Sequence, residues 1–367
     1  MRTLLEQIAT ATGAELGYDV ALSRYTTTRL GGTARAMFTC RSIESLVACV
    51  QQVDAAGIKV LLLAGGSNLV IADGELDLIV VRIAAAKIRI ERAGDHALVH
   101  AEAGADWDEL VAQTVQAGLG GLECLSGIPG SVGATPVQNV GAYGVEVGSL
   151  LRRVQLLDRC SGDIYWVKPA ELQLGYRYSR LKYSDQTLVL AAEFCLTTDG
   201  LSAPLHYQEL NNYLDAQPGE RRAVASVRKA VLALRAAKGM VLDIDDYDTW
   251  SAGSFFTNPI VDDRTLQHVR DVAARLAGDA SLMPAFPDAK GTKLSAAWLI
   301  ERAGFGKGYP GPQAPIRLST RHSLALTNRG RGTTSELLAL AREIRSGVED
   351  VFSVRLEPEP VLIGCEI

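Results

Sequence analysis

An α+β fold divided over two or three domains is what this sequence predicts, and three observations carry the expectation. The chain of 367 residues is too long for a single compact core. Helix and strand signals alternate early, as in an α/β unit. Farther on the texture turns to hairpins, and then to a mixed segment with long helical patterns.

The elements follow in order. Ser42 caps a helix that carries Leu46, Val47, Val50 and Val53 and stops at Gly57. Ile58–Leu63 follows as a buried strand, and Leu78–Arg82 as another beyond the turn at Asp73-Gly74. Lys87–Arg92 and Ala97–Glu102 are strands joined by Ala93-Gly94-Asp95, a hairpin signal. Asp106-Trp107-Asp108-Glu109 has capping-box spacing for a helix that reaches Ala117, with Gly118 at its end. Strands are expected near Val154–Asp158, Ile164–Val167 and Leu188–Leu196. A helix over Arg221–Ala237 then sets Val224, Val227, Val231 and Leu234 on one face. Acidic Asp243–Asp248 reads as a flexible break. Helices are expected over Asp262–Leu276 and Lys293–Arg302, the second closed by Gly304. Thr333 opens a long amphipathic helix with Leu337, Leu340, Ile344, Val348 and Val351 inside. A last strand, Arg355–Ile363, is expected to return to the first unit and make the first domain discontinuous.

Composition narrows the function. A hydrophobic share of 47% with 22% charged residues is that of an ordinary globular protein. A net charge of −5 gives no field for nucleic acid or an anionic membrane, so neither is expected as a partner. An anionic ligand here must be held by local cations and backbone N–H groups. The six cysteines are scattered with no CxxC pair, which reads as reduced thiols in a cytoplasm. Met1–Thr10 lacks the sustained apolar core of a signal peptide, and no apolar run is long enough to span a bilayer. The five histidines show no HExxH-like spacing, so no metal is expected. These readings point to a cytoplasmic protein, expected to be a monomer.

Two glycine-rich stretches carry the functional signal. In the first, strand Leu61-Leu62-Leu63 runs into Ala64-Gly65-Gly66-Ser67-Asn68, a tight turn whose consecutive N–H groups form a concave anion site. Taken alone, this is better read as a strand-ending turn with no ligand. It is no GxGxxG fingerprint and lacks the lysine of a P-loop, which argues against a nicotinamide Rossmann domain and an NTPase. The second stretch, Ser126–Gly144, is broken by prolines and can be neither a good helix nor a good strand. A flexible linker carries serine and charge. This stretch instead interleaves Ile128, Val132, Val137, Val140 and Tyr143. That pattern suits ordered backbone packed against an apolar, planar ligand, with Gln138 and Asn139 available to polar ring edges. Together the two loops suit a long ligand with a pyrophosphate and a ring system.

Seven motifs then occur in order: Arg29-Leu30-Gly31-Gly32-Thr33, Gly65-Gly66-Ser67-Asn68, Gly127–Gly133, Gln138–Gly144, Gly175-Tyr176-Arg177-Tyr178-Ser179, Ala252–Pro259 and Leu356-Glu357-Pro358-Glu359. Together they resemble the UDP-N-acetylenolpyruvoylglucosamine reductase (MurB) family of cell-wall synthesis over nearly the whole chain. The resemblance implies a two-part FAD-binding region of the vanillyl-alcohol-oxidase (PCMH) type plus a smaller C-terminal α+β substrate domain. The implied segments are 1–82 with 348–367, 83–241 and 242–347. It implies non-covalent FAD, since no histidine or cysteine lies in Ala64–Val70. The flavin contacts so implied are Ala64, Gly65, Gly66, Ser67, Asn68 and Leu69 from the first loop. Ser126, Ile128, Pro129, Gly130, Ser131, Gly133 and Ala134 follow from the second. Gln138, Asn139, Gly141, Ala142, Tyr143 and Gly144 complete the set. NADPH is the implied co-substrate, and the implied reaction reduces an enolpyruvyl ether to a lactyl ether, giving UDP-N-acetylmuramate.

That chemistry needs a cation at the substrate carboxylate and a proton source at the neighbouring carbon. Arg177 matches the family's arginine, and its planar fork suits a carboxylate. Ser254 matches the proton donor, and Glu359 the carboxyl that works with Arg177. Such a carboxyl is expected to have a raised pKa. Without the family, Arg177 reads as a surface ion pair, Ser254 as a turn or cap residue, and Glu359 as a solvated side chain on an edge strand beside Pro358 and Pro360. Tyr176, Lys238 and Asn258 match positions near the enolpyruvate and diphosphate. Pro204–Leu210 resembles a lid loop of one branch of the family, which makes Tyr207 the lid residue. His322 falls at a polar substrate contact, and reads equally as a structural histidine. One departure is Thr257, where many members carry lysine. The competing readings are another FAD-dependent oxidase on the same scaffold, which need not carry Arg177, Ser254 and Glu359 together, and a non-catalytic sugar-nucleotide module, which would bind without being reduced by NADPH.

Overall fold

The computed structural model describes residues 1–277 and 283–367. The chain forms two compact units: Met1–Val20, Ala34–Gly66 and Asp77–Ala237 make the first, and Ala21–Thr33, Ser67–Leu76 and Lys238–Ile367 the second.

The first unit holds two sheets. A four-stranded sheet runs in the order Glu15–Ala21, Thr33–Cys40, Glu75–Ile83, Val60–Leu63. Its last two strands are parallel, with Leu61 opposite Val80. Helices Arg2–Thr12 and Ile43–Ala55 accompany it, and Leu5, Ile8, Phe38, Leu46, Val50 and Val53 share one buried cluster. Ser42 caps the second helix by accepting the Ser45 N–H at 3.2 Å. A five-stranded sheet runs in the order Ile164–Val167, Leu151–Asp158, Thr187–Thr197, His96–Glu102, Ile88–Ala93. Each neighbouring pair in it is antiparallel, and Ile88–Ala93 with His96–Glu102 and Leu151–Asp158 with Ile164–Val167 are joined by short turns. Its core is centred on Trp107 and Phe194, whose rings meet edge to face at 5.9 Å.

The second unit is built from small sheets and helices. Ile260–Val261, Gly291–Leu294 and Ala285–Asp288 form a three-stranded sheet, and Ile316–Leu318 with Leu326–Asn328 a two-stranded one. Helix Thr334–Phe352 buries Leu337, Leu340, Ile344 and Val348 in the unit's core. Thr333 and Glu336 close a capping box at its start, and Asp73 adds further acceptors for the Thr334 and Ser335 N–H groups, each at 2.8 Å.

Some boundaries differ from expectation, each for a local reason. The helix expected from Lys293 begins at Ala296, because Gly291–Leu294 pairs as a strand on both sides and Ser295 caps the helix by accepting the Trp298 N–H. The helix expected from Arg221 begins at Val224. The last strand is confined to Val361–Ile363 and pairs in parallel with Leu69–Ile71, since Pro358 and Pro360 have no N–H to give a ladder. Helix Arg2–Thr12 and strand Glu15–Ala21 went unread, although Gly13 ends that helix in the left-handed region at φ 67°.

Candidate active site

The two glycine-rich loops touch in the first unit. A Cβ on Gly65 would lie 2.7 Å from the Cα of Gly130 and 2.8 Å from its carbonyl carbon, so only glycine fits there. The second loop is also fixed along its length. Gly130 O accepts the Trp107 N–H at 3.1 Å, while the Val132 and Gly133 N–H groups donate to Ala105 O and Ala103 O, each at 2.9 Å. Gly127 N–H donates to the Asp108 carboxylate at 2.6 Å, and the Arg228 guanidinium grips that carboxylate at 2.6 and 2.9 Å. Burial pushes the Asp108 carboxyl up, but hydrogen bonds from Arg228 and Gly127, with the charges of Arg228 and Arg235, outweigh it and hold the group below the usual range. Within this fixed backbone the Oγ of Ser131, a residue 2% exposed, has no hydrogen-bond partner among the described residues. Orphaned buried hydroxyls are costly, and a ligand oxygen relieves them. Backbone in close approach and an orphaned buried hydroxyl fit the phosphate-bearing part of FAD.

The loop continues into a tight hairpin. Gly141 pairs with Glu146 and Ala142 with Val145, leaving Tyr143 and Gly144 at the tip with φ of 50° and 81°. Positive φ at both tip residues is the I′ geometry that matches strand twist. The Tyr143 ring meets the Tyr207 ring edge-on at 5.3 Å, and burial pushes its hydroxyl up to about 12. Asn139, also at positive φ, is buried and engaged at both ends of its amide. Its Oδ1 accepts the Gly148 N–H at 3.0 Å, and its Nδ2 donates to Glu146 Oε2 at 2.8 Å and Gly175 O at 3.2 Å. Both amide hydrogens that were read as available to a ring edge are therefore spent within the protein.

Arg177 sits on a second tight turn. Gly175 and Tyr178 exchange backbone hydrogen bonds at 3.0 and 3.2 Å, which puts Tyr176 and Arg177 at the tip, Arg177 at φ 52°. Its Nη2 donates to Gly141 O at 2.9 Å, and Lys182 Nζ donates to its carbonyl at 3.1 Å. The arginine therefore lies against the Gly141–Glu146 hairpin. Tyr176 and Tyr207 are exposed at 38% and 43%.

The second unit holds Ser254 and Glu359, on two segments that pair through their backbones. Phe255 O accepts the Glu359 N–H at 2.9 Å, Phe256 bridges to Pro358, and Thr257 N–H donates to Glu357 O at 3.0 Å. Both residues are half-buried. The same stretch reaches Asn68, whose Nδ2 donates to Glu359 O at 3.3 Å and whose carbonyl accepts the Val361 N–H at 2.9 Å. Thr27 Oγ1 donates to Ser67 O at 3.4 Å. Asn258 Oδ1 accepts the Ala296 N–H at 3.0 Å at the start of helix Ala296–Arg302. His322 lies in a turn closed by Ala325 N–H to its carbonyl at 3.1 Å. Lys238 follows helix Val224–Ala237 and opens the second unit.

The acidic stretch read as flexible is an ordered ion network. Asp248 is 4% exposed and accepts from Arg329 at 2.8 Å, Arg321 Nε at 3.4 Å and the Thr320 N–H at 3.1 Å, while Asp246 pairs with Arg321. Its partners lie far along the chain, so no local pattern announces them. Among the described residues no group of His, Cys, Asp and Glu is arranged to hold a metal ion, and no helix is long and apolar enough to cross a membrane.

Comparison with known proteins follows the same division. Residues 34–168 match the model of an FAD binding domain, and residues 245–363 that of the UDP-N-acetylenolpyruvoylglucosamine reductase C-terminal domain. The chain is 57% identical over 363 residues to the UDP-N-acetylenolpyruvoylglucosamine reductase of Nocardia farcinica, covering 99% of this chain and 94% of that one. It is 54% identical over 367 residues to the same-named protein of Mycobacterium tuberculosis H37Rv, covering 96% of each. The crystal structure of the MurB reductase from Thermus caldophilus shares the fold, with a TM-score of 0.63, 22% identity, and coverage of 95% of this chain and 98% of that one.

Proposed function

This chain belongs to the UDP-N-acetylenolpyruvoylglucosamine reductase family, and from that premise we propose that it uses NADPH to reduce UDP-N-acetylenolpyruvoylglucosamine to UDP-N-acetylmuramate, with Arg177, Ser254 and Glu359 as its catalytic residues. It is an FAD-dependent oxidoreductase of peptidoglycan precursor synthesis, and its fold is α+β with an FAD-binding region of the PCMH type and a C-terminal substrate domain. The observation that supports the finer reading is the hydrogen bond from Glu359 N–H to Phe255 O at 2.9 Å, which ties the segment after Ser254 to the segment of Glu359.

The loops Ala64–Leu69, Ser126–Ala134 and Gln138–Gly144 would hold FAD, with Ser131 Oγ and the loop N–H groups toward its phosphates. Bound FAD supplies the hydride, taken in turn from NADPH. The rest is work for the chain's own residues. Adding hydride to the methylene carbon develops negative charge on the adjacent carbon and the carboxylate. Arg177 meets that carboxylate with its planar fork, and fixed charge aimed where charge develops is the most effective electrostatic arrangement. Ser254 hands its proton to the adjacent carbon. Glu359 donates a hydrogen bond to the developing enolate, which requires it to be protonated in the loaded site.

Tyr176, Lys238 and Asn258 act toward the enolpyruvate and diphosphate, with Lys238 supplying positive charge on an acidic chain. Asn258 has one lone pair on Ala296 N–H, which fixes its orientation and leaves its amide hydrogens aimed by that bond. Tyr207 closes over substrate, and His322 is a polar contact at the same subsite. Separate apolar clusters around Phe38 and around Trp107 support reading 1–82 and 83–241 as two flavin-binding domains, and the pairing of Val361–Ile363 with Leu69–Ile71 supports the return of 348–367 to the first of them. Residues 242–347 then form the substrate domain. The protein works as a cytoplasmic monomer in this reading.

The test is turnover with product identification. Purified protein given NADPH and the enolpyruvyl sugar nucleotide should consume one equivalent of NADPH per lactyl ether formed, read by mass. NADPH consumed without lactyl ether would leave an oxidase on this scaffold and remove the substrate assignment.

A further inference from the structure

We propose that Glu146 is a positioning residue for Arg177, acting through Asn139. The inference rests on the role of Arg177 proposed above. It starts from two hairpins that face each other in the first unit. One has Tyr143-Gly144 at its tip and is closed by Gly141 opposite Glu146; the other has Tyr176-Arg177 at its tip and is closed by Gly175 and Tyr178. Ala142 and Val145 pack one hairpin, and Leu174 the base of the other, against the unit's apolar core, while both tips carry residues at positive φ and are joined to each other by polar bonds.

Asn139 and Arg177 make these bonds from opposite directions. Asn139 Nδ2 uses its two hydrogens on Glu146 Oε2 at 2.8 Å and Gly175 O at 3.2 Å, bridging one hairpin to the other. Arg177 Nη2 returns across the gap to Gly141 O at 2.9 Å. Gly141 is the meeting point: a Cβ there would lie 2.9 Å from Glu146 Cγ and 3.4 Å from Arg177 Nη1. The Glu146 side chain therefore lies over Gly141 against the strand that Arg177 grips. Its carboxylate is the acceptor that fixes which way the Asn139 amide faces, since the amide oxygen is taken by Gly148 N–H at 3.0 Å. Reverse the amide, and both Gly148 N–H and Gly175 O lose their partners. Nothing in the sequence marks Glu146, an exposed glutamate after a glycine-rich motif. Its charge-assisted hydrogen bond orders the turn that carries the catalytic cation.

Three full-length variants loaded with FAD test this: E146A, E146Q and E146D. A small displacement of a group that must meet a reacting carboxylate costs up to about 100-fold. E146A should slow the return of flavin colour on adding the enolpyruvyl sugar nucleotide by roughly that factor, while bleaching by NADPH stays within about twofold and the visible spectrum is unchanged. E146Q retains an acceptor oxygen and should return colour at nearly the parent rate. E146D keeps the charge but withdraws the acceptor, and should be slowed too, which keeps the test decisive if E146A does not fold. Hydrogen–deuterium exchange on the FAD-free proteins reads the clamp without turnover: Gly175 and Tyr178 N–H should exchange faster in E146A and E146D, but not in E146Q. Unchanged colour return, equal slowing of both stages, or unchanged exchange would overturn the proposal. If the parent itself never regains colour, the functional reading fails instead, and the exchange result still decides whether Glu146 holds the turn.

Discussion

Gly65 and Gly130 lie so close that a Cβ on Gly65 would stand 2.7 Å from the Gly130 Cα. Two loops 65 positions apart in sequence are thus in backbone contact, and the contact tolerates no side chain at position 65. Substitution should therefore act on FAD before it acts on the fold. Gly65→Ala is expected to weaken FAD binding by at least about tenfold, or about 1.4 kcal/mol, while the circular-dichroism spectrum holds. Titration of the colourless protein with FAD measures it, and parent-like affinity in the variant would mean that the two loops do not form the cradle.

The backbone next to Ser254 is tied to Glu359 by the Glu359 N–H to Phe255 O hydrogen bond. Ser254→Ala and Glu359→Ala should each lower the rate of substrate reduction by about 100- to 1,000-fold, the effect of losing one preorganised donor. Bleaching by NADPH should be nearly unaffected in both. Stopped-flow traces of the two stages separate these outcomes, and a variant slowed mainly in the NADPH stage would move that residue out of its proposed role.

The Asp108–Arg228 pair fixes the Gly127 end of the second glycine-rich loop, and its sign with pH can be worked out. The folded carboxyl titrates below its unfolded value, so its stabilisation is fully present above the unfolded value of about 3.9 and is lost as pH falls through the folded one. Asp108→Asn should cost about 2 kcal/mol at neutral pH, the scale of hydrogen bonds to a charged group. The difference in melting temperature between parent and variant should be constant from about pH 6 to 8 and shrink below about pH 4. A difference that grew on acidification would contradict the pairing.

The Asp248 network makes a separate stability prediction in the second unit. Asp248→Ala leaves Arg329 without this carboxylate and Arg321 with Asp246 alone, and removing one partner of a buried pair costs about 3–5 kcal/mol. Chemical denaturation measures the loss, and a change under about 1 kcal/mol would show that solvent already screens these charges.

Much of this was legible in the sequence because its causes are local. Ser42, Asp106 and Thr333 cap their helices by accepting the N–H three residues on, a spacing that can be read directly. The hairpin at Ala93-Gly94-Asp95 forms where its turn residues stand. What was misread depends on distant partners. Asp243–Asp248 read as flexible because Arg321 and Arg329, which order it, lie some 75 to 81 positions away. Lys293 reads as helical until its pairing with Ile260 and Phe286 is known. The glycine stretch itself was readable as ordered from its apolar interleaving. The commitment of Asn139 to Glu146 and Gly175 was not, since Gly175 lies 36 positions on.

One anaerobic absorbance trace tests the central claim most directly. The yellow protein is mixed first with NADPH and then with UDP-N-acetylenolpyruvoylglucosamine. The expected result is bleaching on the first addition and return of the full spectrum on the second, with one lactyl ether formed per flavin. Bleaching with no return would contradict the substrate assignment while leaving the flavin loops intact, and a protein that neither carries nor takes up FAD would contradict both.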